Sequence, residues 1–178
     1  MSFCLKFILL TIIMINDALS YSNQNYDTLV RYENINNIEE FEYGGMRIRV
    51  YSNSQYSAQR AKRKISNIID NLNAFYSNRN MNRCNYYRPL EIFIISLDTL
   101  NNHQIMSFLN WGQWSNRIRG VYTSSTSGDE NASIFVSNDS FINTTLSHEL
   151  SHYWQDIYCL PQNEQESRSF EKFSTRRL

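Results

Sequence analysis

Met46-Arg47-Ile48-Arg49-Val50-Tyr51 alternates apolar and polar side chains, and a few residues later the period of the sequence changes. Alternation sends every second side chain to one side of an extended chain, so this stretch is a half-buried strand. From Gln55 to about Tyr76, Ala58, Ala61, Ile65, Ile68, Ile69, Leu72 and Phe75 recur at helical spacing and form one apolar stripe. The cluster Arg60, Lys62, Arg63 and Lys64 forms the solvated face of that helix. Leu90-Glu91-Ile92-Phe93-Ile94-Ile95 follows Pro89 as a nearly continuous apolar run, suited to an interior strand. A strand, a helix and a second strand in this order predict a right-handed βαβ unit.

Further along, residues 118–123 and 133–137 are two more strands separated by a turn over Ser124–Asp129, while residues 98–117 form a loop or short helix. A helix is predicted from about Phe141 to Tyr158, with Leu146, Leu150, Tyr153, Trp154 and Ile157 as its apolar face. Pro161 ends it, and a short Glu-rich helix follows from Asn163 or Glu164. Upstream, residues 21–42 are polar, rich in Asn, Glu and Tyr, and show no sustained period. Residues 21–43 are therefore expected to be a polar lead-in that packs late, ahead of one domain over 44–178. The predicted class is α+β, with a mixed twisted sheet, a backing helix and two C-terminal helices.

Residues 1–20 combine Lys6, an apolar run from Phe7 to Ile15, and Ala18 and Ser20 at small-residue positions before a cleavage point. That is the pattern of a signal peptide, too short in its apolar core to span a bilayer comfortably. The mature chain is expected to be exported, either extracellular or periplasmic, with no stable membrane association once the leader is cleaved. The chain of 178 residues has 17 basic and 17 acidic side chains, so no electrostatic case exists for nucleic acid as a partner. A monomer is expected. With Cys4 in the leader, Cys84 and Cys159 are either a disulfide or two separate thiols.

The chemistry lies in His148-Glu149-Leu150-Ser151-His152, an H-E-x-x-H pentapeptide within the predicted helix. Residues four apart on a helix lie one above the other, so both imidazoles can grip one metal ion, with the carboxylate between them beside it. Catalytic zinc takes three protein ligands and keeps a fourth position open. Gln155 and Tyr158 stand where the extended pattern H-E-x-x-H-x-x-G-x-x-H needs Gly and His, so the third ligand is sought among Glu164, Glu166 and Glu171. The first turn of the last helix lies nearest the histidines, favouring Glu164 or Glu166. Asp156 is a candidate to orient a histidine from behind, and His103 an ordinary loop residue.

The segment from His148 onward resembles the gluzincin branch of the zincin metallopeptidases, several small members of which carry a pattern close to E-x-E-A-x-x-F. Here it reads Glu164-Gln165-Glu166-Ser167-Arg168-Ser169-Phe170, with Ser in place of Ala. The resemblance implies a zincin-like subdomain and Zn2+ bound by His148, His152 and Glu166, with Glu164 the close competitor. It also implies Glu149 as general base for hydrolysis of a peptide or protein substrate, which would pair with the strand near Gly120–Ser125. The alternatives are a non-catalytic exported binding protein of the same fold and a metallohydrolase acting on another bond.

Overall fold

The computed structural model describes residues 27–79, 90–102, 106, 118–124, 132–139 and 142–177. The predicted leader, Cys84, His103 and the turn beyond Ser124 lie outside these residues. Among these described residues the molecule is α+β, built on a mixed five-stranded sheet with five helices. Its elements in chain order are α1 (27–32), β1 (Asn37–Tyr43), β2 (Met46–Ser52), α2 (Gln55–Phe75), β3 (Leu90–Ile95) and α3 (Leu97–Leu100). They continue with β4 (Gly120–Thr123), β5 (Ala132–Ser137), α4 (Ile142–Ile157) and α5 (Glu164–Thr175). Strands run in the order β1-β2-β3-β5-β4.

Strands β2, β3 and β5 are parallel neighbours, and β1 and β4 close the two edges antiparallel. The connection from β2 through α2 to β3 is the predicted crossover. Ser54 caps α2, its hydroxyl accepting the Ser57 N–H at 3.4 Å. The stripe from Ala58 to Leu72 packs against Met46, Ile48, Val50, Leu90, Ile92 and Ile94, as its spacing requires.

The opposite face of the sheet carries a second apolar layer of Phe93, Ile95, Val121 and Phe135 under Leu29 and Leu100. The central strands β3 and β5 are thus covered on both faces, which accounts for their continuous apolar runs.

The lead-in differs from the expectation of a late-packing tail. Residues 37–43 form β1, joined to β2 by Gly44 and Gly45, both at positive φ (59° and 71°). This is the backbone that a two-residue hairpin needs and that glycine adopts without strain. Leu29 is fully buried, and Glu33, 7 % exposed, accepts from the Ser96 N–H and hydroxyl at 3.2 and 2.7 Å. The segment is therefore fastened to the α3 end of the sheet. Its period is obscured because β1 is an edge strand with Ile38 on the open side and Glu39 on the covered side.

No helix among the described residues is long and apolar enough to cross a membrane.

Candidate metal centre

Helix α4 packs Leu146, Leu150, Tyr153 and Trp154 into the core, and this fixes its rotation. The four-residue spacing then stacks His148 and His152 on the side turned toward α5, with ring centroids 4.9 Å apart. Helix α5 returns alongside α4 because the end of α4 is sharply turned. Cys159, itself disulfide-bonded, takes the left-handed conformation at φ 49°. Around it the Leu160 N–H donates to the Gln155 carbonyl at 2.7 Å and the Cys159 N–H to the Asp156 carbonyl at 3.0 Å. These are the two hydrogen bonds of a Schellman ending. Pro161 prevents further helix, and Asn163 caps α5 by accepting the Glu166 N–H at 3.1 Å.

The turn is secured by Gln155, which is fully buried. Its side-chain oxygen accepts the Asn163 N–H at 3.0 Å, and its side-chain NH2 reaches the Asn163 carbonyl and the Ser167 hydroxyl, each at 3.4 Å. Phe170, fully buried, docks the middle of α5 edge-on against Phe75, with centroids 5.5 Å apart.

This arrangement brings Glu164 to the histidines. One carboxylate oxygen lies 3.2 Å from His148 Nε2 and the other 3.2 Å from His152 Nε2, while the two Nε2 atoms are themselves 3.2 Å apart. Three ligand atoms of a His-His-Glu set thus lie within 4.8 Å of one another.

Glu166, expected as the third ligand from the resemblance, is elsewhere. It pairs with Arg79, in the turn beyond α2, and lies 3.4 Å from the Gln155 side-chain amide. Positions two apart on a helix point about 200° apart, so Glu164 and Glu166 cannot both reach the histidines. The docking of Phe170 selects Glu164. Glu171 stands behind His148, 3.4 Å from Nδ1.

Asp156 accepts from the Tyr122 hydroxyl at 2.5 Å and orients neither His148 nor His152. The group behind His152 is Gln162, whose carbonyl oxygen is 2.9 Å from Nδ1. No sequence motif marks a loop glutamine for this part.

Glu149 lies against β4. It is 7 % exposed and receives the Tyr122 backbone N–H. Burial, reinforced by the negative charges of Glu164 and Glu171, pushes its pKa up from 4.5 to about 8 against the opposing hydrogen bond from Tyr122. Burial also lowers the pKa of His148, helped by the neighbouring His152 and opposed by Glu164 and Glu171. A neutral imidazole is the form that binds a metal.

Gly120 lets β4 approach this closely. A Cβ there would fall onto the Thr145 methyl and within 3.1 Å of the Glu149 side chain. Gly120→Ala is therefore expected to overpack the contact and cost about 1–3 kcal/mol. A thermal melt should show a drop of several degrees, and an unchanged melting temperature would contradict the contact.

The donor set suits zinc, since two imidazole nitrogens and a carboxylate are its usual catalytic ligands and each imidazole has a partner behind it. The largely exposed Glu164 leaves the cluster open to solvent on one side.

No protein-family model, no curated protein and no solved structure matches the chain.

Proposed function

We propose that the chain is a secreted zinc-dependent metallopeptidase of the gluzincin type, with a zincin-like domain, and that His148, His152 and Glu164 hold the metal. The observation that carries this reading is the convergence of both Nε2 atoms and both Glu164 oxygens, 3.2 Å apart, beside an H-E-x-x-H glutamate. Bound zinc supplies a Lewis acid that polarises a carbonyl and acidifies water.

Glu149, which is not among the ligands, takes a proton from the attacking water and returns it to the leaving amine. Burial strengthens the hold of this carboxyl on a proton, and a cation held beside it would favour the ionised form that accepts one. The Tyr122 N–H fixes the carboxylate while the proton moves. Strand β4 is an edge strand of the sheet, paired there with β5, and this position supports a peptide substrate laid along it. An extended chain added there would run past Tyr122 and Glu149.

Metal analysis of the purified protein and cleavage of an unfolded protein substrate test the reading. About one zinc per chain and cleavage that stops on chelation and returns with zinc are expected. Protein that takes up no zinc, or that binds zinc and cleaves no peptide bond, would sink it.

A further inference from the structure

The geometry points to Gln162 as the positioning residue of the metal centre: it fixes the tautomer of His152 so that Nε2 presents a lone pair toward Glu164 and His148. This rests on the metal-centre reading above but makes a claim of its own about the metal-free protein.

The His152 backbone carbonyl can only accept a hydrogen bond, and one Gln162 side-chain terminus lies 3.0 Å from it. That terminus must be the amide NH2. The other terminus, 2.9 Å from His152 Nδ1, is then the carbonyl oxygen, which can only accept. The Glu164 oxygen 3.2 Å from Nε2 also only accepts and competes for the ring proton. Gln162 is nearer at 2.9 Å and pinned from both ends, so the proton is assigned to Nδ1 and the neutral ring keeps its lone pair on Nε2. One side chain thus reads backbone and ring of the same residue, and each contact determines the other.

Ser167 does not reverse this. Its hydroxyl is 3.4 Å from Nδ1, farther than Gln162, and it also receives the Ser151 hydroxyl at 3.1 Å and the Gln155 amide at 3.4 Å. A hydroxyl can turn its hydrogen away from Nδ1, whereas the Gln162 orientation is pinned by the carbonyl. Placement agrees with the role. The turn at Cys159 and Pro161 delivers Gln162 just before the Asn163 cap, two residues ahead of Glu164. The same short segment therefore supplies the carboxylate and sets the ring that faces it. Without this partner the ring would exchange between tautomers, one of which places a proton where the metal must bind.

The test uses full-length protein labelled with 15N at histidine, first without metal and at a pH where His152 is neutral. Long-range 1H–15N spectra should show His152 with its proton on Nδ1. Gln162→Leu, similar in size but unable to hydrogen bond, should shift the ring toward the Nε2–H form. Zinc competition against a chromophoric chelator should then give a 10–100-fold weaker affinity for the variant, the usual effect of removing a partner behind a ligating histidine.

Wild-type protein with the proton on Nε2 would overturn the assignment. So would a Gln162→Leu spectrum that keeps Nδ1–H, or a variant that binds zinc within threefold of wild type. Wild-type protein that binds no zinc would overturn the metal-centre reading instead, leaving the metal-free spectra to decide the part played by Gln162.

Discussion

Glu149→Gln is expected to lower peptide hydrolysis by about 10²–10⁴-fold, the usual contribution of a positioned general base, while zinc stays bound. The His-His-Glu cluster does not include this side chain, so the metal content should be unchanged. The same variant should make the metal-free protein more stable at alkaline pH. The folded protein keeps the Glu149 proton up to about pH 8, whereas an unfolded carboxyl releases it near its ordinary value of 4.5. A group with a raised folded pKa contributes stability that is complete below the unfolded value and lost as pH climbs through the folded one.

Wild-type metal-free protein should therefore weaken between about pH 4.5 and pH 8, and Glu149→Gln, which has no proton to lose, should not share that decline. Each pH unit between those two values is worth about 1.36 kcal/mol, so the gap at pH 8.5 is at most a few kcal/mol. Thermal melts of both proteins at pH 5 and pH 8.5, in chelator, measure it. A variant no more stable than wild type at pH 8.5 would show that the carboxyl is not desolvated as its surroundings suggest.

The second large effect separates two neighbouring glutamates. Glu164→Ala is expected to weaken zinc by more than the 10–100-fold seen when a partner behind a ligand is lost, because a ligand itself is removed. Glu166→Ala should leave the affinity within a few-fold of wild type. Its cost falls on stability, and since its partner Arg79 is half-exposed, that cost should be about 1 kcal/mol or less. A calorimetric zinc titration compares the affinities directly. Melts give a second view, since zinc at a hundred times its Kd should raise wild-type stability by about 2.7 kcal/mol and leave Glu164→Ala nearly unmoved. The opposite pattern, zinc lost with Glu166 and kept with Glu164, would restore the assignment that the E-x-E-A-x-x-F pattern suggested.

That reversal shows where the sequence stops being legible. The period of β2 and α2 follows from apolar spacing because each buries one well-defined side. Strand β3, covered on both faces, reads as a continuous apolar run, and the helix around His148 is marked by the spacing from Leu146 to Trp154. Strand β1 does not, since an edge strand half-covered by α2 can place Glu39 inward, 3.8 Å from Lys62, and leave Ile38 in solvent. The histidines and Glu149 are local in sequence and could be read from their spacing.

The choice of Glu164 over Glu166 depends on the rotation of α5, which is set by Phe170 against Phe75 and by the turn at Cys159. No motif encodes that rotation. Gln162 is harder still, because its significance comes from two contacts made across a turn to a single histidine.

All three candidate ligands lie within residues 148–164, on two helices joined by one tight turn. Loop-closure entropy grows only with the logarithm of the loop, and a short connection costs least. The centre can therefore assemble from contacts close in sequence, without waiting for the parallel strands to find one another, the slow step in sheets of this kind. Zinc captured during folding would lock a helical hairpin early. Zinc lost from the finished protein would loosen that hairpin first, opening it as a local unit while the sheet stays intact.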